Sequence, residues 1–128
     1  MKYVLALGFL FAGAAAGRAL VVEPAGKDLR LFYRENCARC HGADGTARDE
    51  GGKKLKGQDF TDAAWRESTA DAKLVKTILK GKFFGLAMPA FRKELTAEEA
   101  QRFVTEIIRQ AVKGSVIDSY KSPAGRQP

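Results

Sequence analysis

Sulfur-containing residues and histidine are scarce in this sequence, and this scarcity limits the chemistry that it can support. The 128 residues include two cysteines, two methionines and one histidine. Two cysteines cannot form the dense disulfide framework that stabilises many small secreted domains. A structural zinc site normally takes four ligands, more than these two cysteines and one histidine supply. The alternating pattern of half-buried strands is also absent, so we predict an all-α domain of helices and loops.

The overall composition is that of an ordinary globular chain with a basic surplus. Apolar residues make up 45% and charged residues 29%, which gives no sign of disorder. The length leaves room for one domain. A net charge of +7 suits encounters with acidic partners. The lysines are spread along the chain, so the charge does not indicate nucleic-acid binding.

The first residues predict an export signal. Lys2 precedes an uncharged run that ends in small residues at Ala16, which is the order of a secretory signal peptide. A retained membrane anchor is the alternative. The run is shorter than the about 20 residues of a spanning helix, and Arg18 interrupts its extension. We therefore assign residues 1–19 to a signal peptide, cleaved after Ala16 or Ala19, and expect a periplasmic protein.

Apolar residues spaced three and four positions apart predict the first helix at about residues 27–36. A glycine- and charge-rich stretch over residues 42–57 predicts an irregular surface loop. A short turn of helix is expected around Trp65, with Thr61 as its N-cap.

Two clearer helices follow in the second half of the chain. One can be capped by Ser68 or Thr69 and ends at Gly81, which suits a left-handed stop. The other begins with a capping box of Thr96 and the glutamate three residues later. We expect this last helix to continue to Gly114.

One short motif predicts the cofactor. Cys37, Cys40 and His41 form the C-x-x-C-H sequence of covalent haem c attachment. Residues three apart share one face of a helical turn, so both thiolates can add to vinyl groups of the same porphyrin. His41 is then held against the iron as the proximal ligand. Alternatives are a thioredoxin-like redox pair, which needs a preceding strand, a zinc site, and a disulfide, which leaves His41 unexplained.

Met88 is the candidate for the second axial ligand. No second histidine exists, and Met88 is the only methionine outside the predicted signal peptide. It lies directly before Pro89, which keeps this stretch out of a helix. A methionine–histidine pair raises the reduction potential of a haem. Packing as a flexible core residue is the alternative role for Met88.

The segment from about Lys27 to Val112 resembles the class I monohaem cytochromes c of the small bacterial type. The resemblance is in the order of features: a helix, C-x-x-C-H, a lysine- and glycine-rich loop, a helix ending in glycine, Met-Pro and a capped last helix. It implies about four short helices wrapped around one covalently bound haem, with the first and last helices crossing. Tyr33 would pack against the last helix, although Leu29 stands where many members carry glycine.

The same resemblance implies a role for Trp65, and the types of several other residues suggest further roles. Trp65 would donate a hydrogen bond to a haem propionate, with core packing as the alternative. Four phenylalanines would be pocket walls or ordinary core, namely Phe60, Phe83, Phe84 and Phe91. Seven basic residues would ring an exposed haem edge or simply be solvated, namely Lys53, Lys54, Lys56, Lys80, Lys82, Arg92 and Lys93.

These expectations divide the chain into a signal peptide (1–19), a cytochrome c domain (20–114) and a flexible C-terminal tail (115–128). The predicted function is one-electron transfer between redox partner proteins, with acidic docking surfaces on the partners. No enzymatic activity of its own is expected, and contact with a membrane is expected only if the signal is retained. Two alternatives stay open. One is a gas sensor or peroxidase-like enzyme with Met88 off the iron, and the other is a subunit through which electrons enter a larger redox complex.

Overall fold

The computed structural model describes residues 26–118, so the predicted signal peptide and residues 119–128 of the predicted tail lie outside the described residues. Within 26–118 there is no β-strand, only two isolated bridges. No helix of this range is long and apolar enough to cross a membrane. The all-α prediction is confirmed by five helices, α1 (Leu29–Asn36), α2 (Ala38–His41), α3 (Ala63–Ser68), α4 (Asp71–Lys80) and α5 (Ala97–Phe103), the last continued by a π-helical segment (Val104–Ile108).

Side-chain caps set the beginnings of α1 and α5. The Asp28 carboxylate accepts hydrogen bonds from the backbone N–H groups of Arg30 and Leu31 at 3.0 and 2.9 Å. The predicted capping box is confirmed, because the Thr96 hydroxyl accepts from the Glu99 N–H at 3.1 Å and the Glu99 carboxylate accepts from the Thr96 N–H at 2.9 Å. Each cap satisfies N–H groups that a first helical turn leaves without partners.

The predicted cap of α3 is wrong by one residue. Asp62 is the N-cap, and its carboxylate accepts from the Trp65 N–H at 2.7 Å. The Thr61 hydroxyl instead donates to the Asp59 carboxylate at 2.7 Å. A local turn therefore takes up the threonine side chain before the helix begins.

The predicted caps of α4 are also wrong. The helix begins after Ala70, which has no side chain to cap it. The Ser68 hydroxyl donates to the Ala64 carbonyl at 2.9 Å within α3, and Thr69 is the extended residue that ends α3. The predicted end is confirmed: Gly81 closes α4 with φ +70°, a left-handed region that favours glycine.

The last helix ends earlier than Gly114. After the π-helical segment the chain leaves helical geometry, and the Arg66 guanidinium donates to the backbone carbonyls of Ile108 and Ala111. Arg109 holds the same end, donating to the Asp71 carboxylate at 2.8 Å and to the Arg66 carbonyl at 2.9 Å. The Arg66 guanidinium satisfies two carbonyl groups that a longer helix would have used, which allows the helix to stop here.

The core forms where α1 meets α5. Phe103 packs against Phe32 and Tyr33 with ring centroids 5.9 and 6.2 Å apart, and Tyr33 and Val104 are fully buried. Each large side chain buried in this way contributes about 1.5–3 kcal/mol to the free energy of unfolding. The predicted contact of Tyr33 with the last helix is confirmed, and Leu29 is buried within the same core.

Candidate cofactor site

The cysteine–histidine motif forms one helical turn directly after α1. The N–H groups of Cys40 and His41 donate to the Cys37 carbonyl at 3.0 and 2.9 Å, so the three side chains follow one another on a single turn. Cys37 and Cys40 form no disulfide, and Cys37 is buried. Burial, with a smaller effect from Cys40, raises the pKa of the Cys37 thiol to about 12. A thioether at this position carries no charge, so its burial has no such electrostatic cost.

The imidazole of His41 is held in one tautomer. Its Nδ1–H donates to the Gln58 carbonyl at 3.0 Å, because a carbonyl oxygen can only accept. Its ring stacks on Phe60 with centroids 4.4 Å apart and planes 15° from parallel. Burial lowers the pKa of His41 against the effect of the Gln58 bond, and the Lys82 ammonium lowers it further. The ring is therefore neutral at pH 7, with Nε2 available as a metal ligand.

Gly57 is a site residue that the sequence analysis missed. Its N–H donates to the Cys40 carbonyl at 2.8 Å. A Cβ at this position would lie 2.4 Å from that carbonyl oxygen and 2.7 Å from Nδ1 of His41. Only glycine allows this loop to approach the motif so closely. The loop contains several glycines, and a single sequence does not show which of them must approach the motif.

Tyr33 holds the other end of the motif. Its buried hydroxyl donates to the Gly42 carbonyl at 2.7 Å, and burial raises the pKa of the phenol well above its ordinary value. Gly42 has φ +80°, and a Cβ there would lie 2.7 Å from the Arg48 carbonyl oxygen. Tyr33 of the first helix therefore fixes the backbone at Gly42, directly after His41.

Met88 lies in the loop after α4. The Lys82 N–H donates to the Met88 carbonyl at 2.9 Å, and the Phe91 N–H donates to the Ile78 carbonyl at 3.0 Å. A Cβ on Gly81 would lie 2.5 Å from the Met88 carbonyl oxygen, so that glycine lets the loop fold back on the helix end. These contacts place Met88, which is half-buried, beside the hydrophobic core.

His41 and Met88 line the same open cleft, and Trp65 lines it with them. The cleft encloses about 570 Å³, part of it open to solvent. Its apolar lining comes from Phe60, Leu74, Ile78 and Ile108, and its polar lining from Gln58, Thr69, Lys73, Thr77 and Lys82. An apolar slot with a neutral imidazole nitrogen and a thioether on its lining fits the donor set and the face of a haem.

Other predicted residues have mixed outcomes. Phe60 lines the cleft, whereas Phe91 packs on Phe32 in the core with centroids 5.3 Å apart. Phe83 and Phe84 are exposed and are not walls of the cleft. Of the seven basic residues, Lys82 lines the cleft and all are exposed. Among residues 26–118 no three histidine, cysteine or acidic side chains are grouped to hold a metal ion.

A C-x-x-C-H turn beside an apolar cleft, in a small all-α fold, defines the class of c-type cytochromes. Comparison with known proteins agrees. Residues 24–105 match the family described as cytochrome c oxidase, cbb3-type, subunit III, and the chain belongs to that family. Its cofactor is one covalently bound haem c, the group that c-type cytochromes use for electron transfer.

Individual relatives support the same assignment. The cbb3-type cytochrome c oxidase subunit FixP of Azorhizobium caulinodans is 34% identical over 84 residues, 66% of this chain. The match covers 25% of that protein, so the chain spans about a quarter of this curated relative. The c-type cytochrome KustC0563 is 31% identical with TM-score 0.50, over 61% of this chain and 89% of that one. A point mutant of that cytochrome is 28% identical with TM-score 0.54, over 67% and 100%.

Proposed function

We propose that this chain is a periplasmic one-electron carrier in which Cys37 and Cys40 hold the haem by thioethers and His41 and Met88 are the axial ligands. The observation that supports this ligation is the shared cleft: a neutral imidazole with Nδ1–H bonded to a carbonyl and the thioether residue Met88 line one slot. The export signal predicted in residues 1–19 supports the location.

With His41 and Met88 both bound to its iron, a haem would supply outer-sphere, one-electron chemistry and would offer no position for a substrate. The residues of the chain bind the group, orient it and exclude water. The Gln58 carbonyl and the Phe60 ring fix the plane of His41. Trp65, which lines the cleft, is proposed to donate its indole N–H to a propionate.

The proposed donors and acceptors are proteins that present acidic surfaces. Exposed basic residues near the cleft, with Lys82 on its lining, would meet such surfaces and speed association. A second candidate function is that of a subunit through which electrons enter an oxidase. The family description and the name of the FixP relative favour it. Stable co-purification with an oxidase core would distinguish this subunit from a free carrier.

The axial ligation is tested by Met88→Ala in the holoprotein. Loss of the soft sulfur ligand should lower the reduction potential, remove the weak long-wavelength band of ferric sulfur ligation and open the iron to carbon monoxide. Leu79→Ala is the matched control, because it removes a partly buried apolar side chain that packs against the same core and has no ligand atom. Rapid carbon monoxide binding by the wild type would favour the gas-binding or peroxidase-like alternative.

The attachment and the export are tested together by intact-mass measurement of the mature protein. One haem mass should survive acid-acetone extraction, and the chain should begin near Ala16 to Ala19. The double variant Cys37→Ala with Cys40→Ala should retain no covalent haem. A mature wild-type protein that loses its haem to the solvent would contradict the attachment, and an intact Met1 in the membrane fraction would contradict the cleavage.

A further inference from the structure

Three large apolar side chains project from the loop that also contains Met88. Phe83 is 75% exposed, Leu86 92%, and Phe84 107%, which is as exposed as in an extended peptide. None of the three lines the cleft. We call this set the apolar tip.

The apolar tip has a defined and strained backbone. Phe83 and Phe84 have φ values of +49° and +54°, a region that is unfavourable for side chains other than glycine. Short-range hydrogen bonds hold the turn, from the Gly85 N–H to the Lys82 carbonyl at 3.1 Å and from the Leu86 N–H to the Phe83 carbonyl at 3.0 Å. The positive φ values are unfavourable for phenylalanine, and the contact of three large apolar side chains with water is also unfavourable. Such outliers concentrate where a molecule binds something else.

Basic residues lie on both sides of the apolar tip in the sequence. Lys80 and Lys82 precede it, Arg92 and Lys93 follow it, and all four are exposed. We call these four the basic collar. From residue 72 to residue 93 the sequence contains no aspartate or glutamate. The Arg102–Glu106 and Arg109–Asp71 salt bridges involve none of the collar residues.

We propose that the apolar tip and the basic collar attach the protein to the surface of a bilayer that contains anionic phospholipids. Lysine and arginine beside an apolar segment attract anionic headgroups. Phenylalanine and leucine side chains enter the boundary between headgroups and acyl chains. Three of the four collar residues are lysines, and lysine close to an anionic membrane surface strengthens binding to it. The positive charge, together with the exposed apolar side chains, therefore fits an anionic lipid surface.

This attachment goes beyond electron transfer and does not require a retained signal peptide. The apolar tip lies between Lys82 and Met88 in the chain, and both of these residues line the cleft. A bilayer that receives the tip would therefore lie next to the cleft. The protein would then be held near membrane-bound redox complexes and still be able to leave the surface.

The test uses the holoprotein and co-sedimentation with vesicles of phosphatidylcholine, with and without phosphatidylglycerol. The wild type should bind the anionic vesicles, more weakly as salt rises, and bind neutral vesicles poorly. The variant Phe83→Asn with Phe84→Asn should fold, because asparagine tolerates positive φ. It should bind anionic vesicles about tenfold more weakly or worse. The variant Lys80→Gln with Lys93→Gln should show a flatter salt dependence.

The matched control is Val112→Asn with Val116→Asn, which removes two other exposed apolar side chains, 60% and 54% exposed. It should bind the vesicles like the wild type. An unchanged absorption spectrum in each variant shows that the haem site is intact. The proposal is overturned if the wild type ignores anionic vesicles, or if the tip variant binds them as well as the wild type does. A tip variant that binds vesicles normally but reduces a purified cbb3-type oxidase more slowly would assign the tip to a protein partner instead.

Discussion

The two sides of the cleft are built differently. The histidine side, residues 37–60, is crossed by backbone hydrogen bonds from the motif to the following loop. The N–H groups of Ala47, Gly57 and Phe60 donate to the carbonyls of His41, Cys40 and Gly45 at 2.7–2.8 Å. The methionine side, residues 81–91, is held to α4 near its two ends, and the apolar tip between them is exposed.

This difference predicts that the stability of the domain and the ligation of the haem respond to different substitutions. Because the histidine side is bonded throughout, its disturbance should lower the stability of the whole domain. The apolar tip of the methionine side is exposed and has few packing contacts to lose. Disturbance of this side should therefore change the second axial ligand of the proposed haem site more than it changes the free energy of unfolding.

The largest effect on the histidine side is expected from Gly57→Ala. The added Cβ would lie 2.4 Å from the Cys40 carbonyl oxygen and 2.7 Å from Nδ1 of His41. The loop must move away and give up its hydrogen bond to the motif, which should cost about 3 kcal/mol of unfolding free energy. Urea unfolding of the holoprotein measures this.

Gly51→Ala is the control, because its Cβ would meet only the Asp49 carboxylate at 3.4 Å. It should unfold within about 0.5 kcal/mol of the wild type. Equal losses for the two variants would show that the close approach at Gly57 does not matter.

A smaller loss of stability is expected from Gly81→Ala on the methionine side. Alanine would be strained at φ +70°, and its Cβ would lie 2.5 Å from the Met88 carbonyl oxygen. The exposed loop can shift to relieve this contact, so about 2 kcal/mol is expected. The ferric sulfur band should weaken although the haem stays covalently attached.

Gly85→Ala separates backbone strain from the clash. Gly85 has φ +88° with no atom near its added Cβ, so this variant carries strain alone and should keep the sulfur band. If Gly81→Ala also keeps the band, the helix end does not position Met88.

The sequence predicted those parts of the molecule that depend on local pattern. The turn of Cys37 to His41, the capping box at Thr96 and the stop at Gly81 follow from residue types at fixed spacing, and all three are present. The Met88 loop was predicted to be non-helical for the same reason, because Pro89 follows directly.

The rest depends on contacts between distant segments. Arg66 and Arg109 join the end of the last helix to segments about 40 residues away in the chain, and periodicity cannot reveal such partners. The role of Gly57 depends on a backbone approach across the site. Phe83 and Phe84 were predicted to line the pocket because they are aromatic. Both have positive φ values, and their side chains lie outside the cleft.

The smallest effect on stability is expected where the histidine side is bonded to the segment that follows the last helix. The Asp44 carboxylate accepts from the Thr46 hydroxyl at 2.7 Å and, across the fold, from the Gly114 N–H at 2.7 Å. Partial burial opposes ionisation, but these hydrogen bonds hold the pKa of Asp44 below its ordinary value. A depressed carboxyl pKa stabilises the fold above the unfolded-state pKa, and this contribution is lost as pH falls through the folded-state pKa.

Asp44→Asn should therefore lower the free energy of unfolding by about 1 kcal/mol near pH 7, a value kept small because water screens this partly exposed group. The difference from the wild type should shrink below about pH 4. Asp59→Asn is the matched control. Asp59 accepts from the N–H and hydroxyl of Thr61 as Asp44 does from Thr46, but it has no bond to a distant segment in residues 26–118. A pH-independent loss at Asp44, or an equal loss at Asp59, would show that the bond to Gly114 adds nothing to the stability of the histidine side.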